Sequence, residues 1–274
     1  MSITVTYGLT EQEKTRPYSK YFSWKSGPYD AEAWAAYEAD TRLSPEQVTM
    51  PEQINDLLRP GYLPGELGWC SLPDGTGYVA NKIRMPDVEW QMFPWYLCWF
   101  GFENLRYKLW WPPTHFGVEL DAESRAKILS DAPCHEKLFH TSRNIVEDMG
   151  FGPELIRLTY LAPQELGFDL EQFRLPNIGY ASASYGTFLE RDSLPSVLCH
   201  CMRPHPEGGS ELRTRCWFGW SVKDGKPRKS IADGVTVPPE AMRAFWRHNI
   251  QEFSRFRDLI PLLYSEYGEA PLAP

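Results

Sequence analysis

The feature that most constrains this chain is a change of period along it. From Val146 to Trp220 apolar and polar residues mostly alternate, the two-residue period of a half-buried strand. From Glu240 to about Arg257 the period becomes helical and holds without a break. The strand candidates are Glu154–Tyr160, Tyr180–Phe188, Ser196–Met202 and Glu211–Val222. They are separated or closed by Pro176-Asn177, Pro206-Glu207-Gly208-Gly209 and Lys223-Asp224-Gly225-Lys226. Glu211–Trp217 sets Glu, Arg, Arg and Trp on one face against Leu, Thr and Cys on the other, which reads as antiparallel sheet and disfavours a doubly wound fold. The expected class is therefore α+β: an antiparallel sheet curled around a long C-terminal helix. Pro238-Pro239-Glu240 starts that helix, and Pro261 is expected to kink or end it.

The first 85 residues are punctuated by Pro and Gly and read as an irregular, partly helical lobe, with 86–274 as the main domain. Within the lobe, Asp30–Asp40 reads as a capped short helix, Pro45–Leu58 as one or two more, and Pro73-Asp74-Gly75-Thr76-Gly77 as a hairpin turn. Pro86–Gly101 reads as a helix, and Arg106–Trp110, which alternates, as the start of a strand broken by Pro112-Pro113.

A net charge of −8 argues against a nucleic-acid or anionic-membrane partner. No run approaches the roughly 18 apolar residues of a membrane helix, and the N-terminus lacks a signal-peptide pattern, so a cytoplasmic protein is expected. The six cysteines are scattered and expected to be buried free thiols. On a strand, Cys199 and Cys201 would face one way and His200 the other, which breaks up an apparent metal knuckle. Aromatic residues are abundant: 11 Trp, 14 Tyr and 14 Phe. Most suit a large core, and some suit a cavity for a planar ligand. An aromatic-rich surface makes a homodimer an expectation.

On the C-terminal helix, with Phe245 placed at zero, Glu252 falls at roughly 340°, His248 at roughly 300° and Asn249 at roughly 40°. Glu252 thus borders the apolar arc formed by Phe245, Met242, Trp246, Phe253 and Phe256. A carboxylate there is costly unless it is paired or ligates a metal. His248 and Glu252, at i and i+4, share one face within reach of one cation; pairing of Glu252 with an arginine is the structural alternative. By themselves, His115 reads as a structural residue at a strand end or loop, Glu147 is unremarkable, and His135, His140 and His205 read as surface residues.

Several segments, in their order and spacing, resemble the diacetylphloroglucinol hydrolase and phloretin hydrolase family. They are Arg106–His115 (RYKLWWPPTH), Val146–Gly150 (VEDMG), His200–Arg203, Gly209–Trp217 (GSELRTRCW), His248–Glu252 (HNIQE) and Ile260–Gly268. The resemblance implies a START-like helix-grip fold and a zinc-dependent hydrolase that cuts the carbon–carbon bond between an acyl group and a phenolic ring. It implies zinc ligands His115, Glu147, His248 and Glu252, with Tyr107 at the acyl carbonyl and His200 beside the site. Val118 stands where the family has a substrate-contacting asparagine; Trp111 and Trp217 are further candidates for holding a small phenolic ketone. The mechanism so implied protonates the ring carbon and then attacks the carbonyl with metal-activated water. A helix-grip cyclase, isomerase or binding protein for small aromatic ligands is the alternative, distinguished by its independence of metal.

Overall fold

The computed structural model describes residues 3–189 and 195–273. The chain opens with α1 (Glu11–Lys14), a 3-10 segment (Pro17–Tyr21), α2 (Ala31–Glu38) and two further 3-10 segments (Pro45–Gln47 and Pro51–Leu58). Strands β1 (Gly68–Ser71) and β2 (Gly77–Met85) form a hairpin, followed by helices α3 (Met92–Phe100) and α4 (Asn104–Trp110). Then come β3 (His115–Leu120), α5 (Ala122–Ile128), β4 (Ser142–Asp148), β5 (Pro153–Leu161), β6 (Tyr180–Phe188), β7 (Ser196–Pro204) and β8 (Ser210–Phe218). A small hairpin, β9 (Trp220–Lys223) and β10 (Lys226–Lys229), leads to α6 (Pro239–Tyr267).

Eight strands make one antiparallel sheet in the order β1-β2-β8-β7-β6-β5-β4-β3, so the expected α+β class holds. The N-terminal stretch contributes β1 and β2 to that common sheet. The sheet must curl to meet α6 on both sides. Asn81 on β2 donates to Asn249 at 2.8 Å, while His115 on the opposite edge strand lies 3.4 Å from His248. One helical turn therefore touches strands from both ends of the sheet. The concave side holds the larger core, with Phe93, Trp99, Phe253, Phe256 and Leu263 buried between α3, α4, α6 and the strands.

Four local expectations need correction. Residues 86–91 lie outside the helix expected from Pro86; α3 begins at Met92, so Pro94 sits in its first turn, where the missing N–H has no intrahelical partner to lose. Arg106–Trp110 is helical, not extended. Every residue of Leu105–Trp110 is buried, so alternation there reports no solvent face; Arg106 pairs with Glu103 at 3.1 Å and Lys108 with Glu13 at 2.9 Å. The strand expected through Val222 breaks at Gly219, whose φ of +81° is a glycine conformation. Pro261 does not end α6. It leaves one Arg257 carbonyl without its usual donor, while buried Leu259, Ile260 and Leu263 hold the helix on the core through Tyr267. Of the cysteines, Cys134 is exposed and the other five are buried.

The sheet is buried on its second face too. There β8 turns Arg213, Arg215 and Trp217 under the N-terminal segments, and Trp217 Nε1 donates to Thr49 O at 2.8 Å. Glu66 binds both guanidiniums: Arg213 on both carboxylate oxygens and Arg215 Nη2 on Oε2 at 2.7 Å. Burial raises the Glu66 pKa, but attraction to Arg215 and the bonds from Arg213 outweigh it and hold the carboxyl at about 2, below its usual 4.5. A depressed folded-state pKa contributes stability that is present above the unfolded value and lost as pH falls through the folded one. Glu66→Gln strands two buried arginines and is expected to destabilise the protein by about 3–5 kcal/mol in urea titrations at pH 7. The gap from the parent protein should narrow as pH falls from 4.5 toward 2; a pH-independent gap would contradict the ion-pair origin.

Candidate functional site

Helix α4 ends at Trp110, and Pro112-Pro113 prevents its continuation. The turn closes through Thr114 N and His115 N, which donate to Trp111 O at 3.1 and 3.0 Å. It folds His115 back over Tyr107, and the two rings stack 4.4 Å apart with planes 4° from parallel. His115 is the first residue of β3 and faces Glu147 across the ladder. The register shifts by one residue between His115 and Gly117, a bulge that leaves His115 opposite Glu147 while Gly117 and Val118 resume normal pairing with Val146 and Ile145. From the other side, α6 brings His248 and Glu252 one turn apart on its buried face.

The four side chains converge. His115 Nε2 lies 3.4 Å from His248 Nε2, 3.7 Å from Glu147 Oε2 and 3.6 Å from Glu252 Oε2, and His248 Nε2 lies 3.7 Å from Glu252 Oε2. His115, Glu147 and His248 offer ligand atoms that all lie within 4.8 Å of one another. Burial, then the neighbouring His248, holds the His115 pKa well below its ordinary value; burial brings His248 down to about 4. Both rings are therefore neutral at pH 7. The other nitrogen of His115 lies 3.4 Å from the Tyr107 carbonyl, which only accepts, so the His115 hydrogen belongs on Nδ1. His248 Nδ1 lies 3.4 Å from Thr114 Oγ1, a hydroxyl that can donate or accept. The lone pair of His115 Nε2 thus faces His248 Nε2 at 3.4 Å beside two carboxyl groups. Burial pushes Glu147 up to about 7 against the bond from Tyr107; burial and then Glu147 push Glu252 well above the carboxylate range. Ligand atoms about 2.0–2.1 Å from a tetrahedral ion are about 3.3–3.4 Å apart, so the spacings of 3.4–3.7 Å and this donor set suit a divalent cation, with Glu252 outside the group of three that close to within 4.8 Å of one another.

The arginine alternative for Glu252 is not realised among the described residues. Arg255 donates to the carbonyls of Leu109, Trp24 and Tyr21, while Glu252 Oε1 accepts from Asn249.

The cluster opens into a cavity of about 110 Å³, several times the space a water molecule requires. Tyr107 and His200 line it with Glu147, His248 and Glu252. The Tyr107 hydroxyl donates to Glu147 Oε2, and burial, then Glu147, keeps that phenol protonated. His200 bonds Thr214 Oγ1 through Nδ1 at 2.8 Å, and burial lowers its pKa to about 3. Three expected substrate contacts lie elsewhere. Trp217 points to the far face of the sheet because Cys216 and Phe218 take the cavity side. Trp111 lines an outer groove with Trp24, Tyr29 and Trp34. Val118 is buried beside Ile145 but does not line the cavity. Sequence reasoning missed Tyr160, Ser182, Ser184 and Gly186 as lining residues. The small residues at alternate positions of β6 were the available signal, since they leave room on one face.

The chain is similar to several known proteins. The chain is 28% identical to phloretin hydrolase of Eubacterium ramulus over 270 residues, covering 96% of this chain and 94% of the relative. It is 24% identical to a 2,4-diacetylphloroglucinol hydrolase of Pseudomonas sp over 266 residues, covering 93% and 90%. Among solved structures, Ara h 8.0201 matches at 10% identity and a TM-score of 0.42, covering 68% of this chain and 98% of that one. The model of the DAPG hydrolase PhiG domain matches residues 49–265. That match takes in the whole eight-stranded sheet, the four converging side chains and nearly all of α6, and the chain belongs to the DAPG hydrolase PhiG domain family.

Proposed function

We propose that this protein is a zinc-dependent hydrolase that cleaves the carbon–carbon bond between an acyl carbonyl and a polyhydroxylated aromatic ring. His115, Glu147, His248 and Glu252 hold the ion. The observation that carries the reading is the convergence of two neutral imidazole Nε2 atoms, 3.4 Å apart, with Glu147 and Glu252 in an apolar cavity. The names of the relatives, a phloretin hydrolase and diacetylphloroglucinol hydrolases, point to phenolic ketones as the substrate class.

When bound, a divalent ion supplies Lewis acidity toward the carbonyl oxygen and a water activated near neutral pH. The chain does the rest. Phe100, Tyr160, Phe218 and Phe245 confine the ring and exclude bulk water. Tyr107 keeps its proton on Oη and, turning from Glu147 Oε2 once substrate is bound, donates it as a hydrogen bond to the oxygen that gains charge at the acyl carbon. His200, with a pKa of about 3, is neutral at pH 7; it holds a phenolic hydroxyl by hydrogen bonding and is not the acid. Water adds its oxygen to the acyl carbon, the ring carbon takes its proton from a ring hydroxyl by tautomerisation, and the proton left from water restores that hydroxyl. The bond between them breaks, and a carboxylic acid and the deacylated phenol leave.

Two measurements test this reading. Purified protein is expected to cleave phloretin or 2,4-diacetylphloroglucinol, to lose that activity on exhaustive chelation and to regain it with zinc; undiminished cleavage after verified metal removal would reject the metal role. Tyr107→Phe should lower kcat by about 100- to 1,000-fold with a smaller change in KM, as loss of an oxyanion donor does. An unchanged kcat would remove Tyr107 from the chemistry.

A further inference from the structure

The concave face of the sheet is mostly apolar, yet one polar row crosses it. Ser182, His200, Thr214 and Asn81 are direct cross-strand neighbours on β6, β7, β8 and β2. The row meets α6 at Asn249. Asn81 Nδ2 donates to Asn249 Oδ1 at 2.8 Å, and Asn249 Nδ2 donates to Glu252 Oε1 at 3.2 Å. Both asparagines are buried, at 1% and 0% exposure. A carboxylate only accepts, so it turns the Asn249 NH₂ toward itself, which leaves Asn249 Oδ1 facing Asn81 and turns the Asn81 NH₂ toward it. Asn81 Oδ1 is then left without a protein donor. Two buried amides, one of them incompletely bonded, are a poorer core than two leucines of similar size. The pair is better explained by what it does to Glu252. Asn249 occupies Oε1, and Oε2 is the oxygen that stands 3.6 Å from His115 Nε2 and 3.7 Å from His248 Nε2.

We propose that Asn249, locked by Asn81, is a positioning residue for the metal centre: it takes Oε1 of Glu252 out of the cluster and presents Oε2 alone to the cation. This rests on the zinc reading above. The effect reaches the ion through Glu252, and Asn249 does not line the cavity. Outer partners that orient a ligand typically change metal affinity by about 10- to 100-fold when removed.

The test uses cobalt(II), whose visible absorption reports its ligand set, on the metal-free full chain. Asn249→Ala is expected to weaken cobalt binding about 10- to 100-fold in chelator competition. It should also change the visible spectrum, because both oxygens of Glu252 become free to bind. Asn81→Ala, one bond further out, should move both readouts the same way by less. A purely structural pair would lower the unfolding temperature of the metal-free protein and leave cobalt affinity and spectrum as in the parent; that result overturns the proposal. If Asn249→Ala does not fold, Asn81→Ala decides by the same two readouts. Failure of the parent protein to take up cobalt would instead overturn the metal reading, and this inference with it.

Discussion

Two imidazole nitrogens and two carboxyl groups brought to one point inside an apolar cavity have each lost their hydration, and the two carboxyls repel whenever both are ionised. No local preference of the chain favours that arrangement, so the rest of the fold has to hold it. Pro112-Pro113 ends α4 and swings His115 over Tyr107. The bulge after His115 leaves it opposite Glu147 while the remainder of β3 stays in register. The continuous helix α6 supplies His248 and Glu252 on one face and anchors them by burying Phe253, Phe256 and Leu259. The curl of the sheet then closes Glu147 onto the same point. A positive ion would give all four groups a partner at once, which is why the donor geometry argues for one more strongly than any single residue does.

Much of the frame was readable because it depends on local period. Alternation located β5, β6, β7 and most of β8, and the helical period placed α6 and the shared face of His248 and Glu252. Alternation also separated His200, which lines the cavity, from Cys199 and Cys201, which pack on the other face. The failures have a common physical cause: period reveals a solvent boundary, and where burial is complete there is none to reveal. Helix α4 is buried all round and its two cations are paired, so its sequence mimics a strand. Strand β8 is buried on both faces, so nothing local told Trp217 from Phe218 as the side chain on the ligand side. The pairing of His115 with Glu147 joins residues distant in sequence, and only the family resemblance suggested it.

The aromatic excess divides between two tasks. Trp95, Trp99, Tyr96 and Phe256 pack against one another beneath α6, with Trp95 and Trp99 stacked at 5.5 Å and Tyr96 edge-on to Phe256 at 5.5 Å. A smaller set, including Phe100, Trp110, Tyr160, Phe218 and Phe245, forms the wall of the cavity. Phe100 and Trp110 belong to both, so the core that stabilises α6 also fixes the ligand chamber. The second face of the sheet is stabilised separately, by Glu66 between Arg213 and Arg215. The two sides of the sheet therefore carry different chemistry on one set of strands.

The protonation states in the cavity constrain the substrate of the proposed reaction. Cleavage needs a proton on the ring carbon, because an aryl carbanion is a poor leaving group. Among the described residues that line the cavity, Tyr107, Tyr160 and Cys216 have pKa values raised by burial, and His200 is neutral with a pKa of about 3. None of these is a ready acid at pH 7. Glu147 and Glu252 are the remaining acids, and as ligands of a cation they would be held ionised. The proton is then best supplied by tautomerisation of the substrate itself, from a ring hydroxyl to the ring carbon. That shift is accessible when several hydroxyls on one ring share the loss of aromaticity. The neutral His200 and the polar row behind it are suited to holding such a hydroxyl while it is transferred. In the proposed reaction a chamber without an acid of its own would therefore select for polyhydroxylated rings, and an acylated ring with a single hydroxyl would bind there without being cleaved.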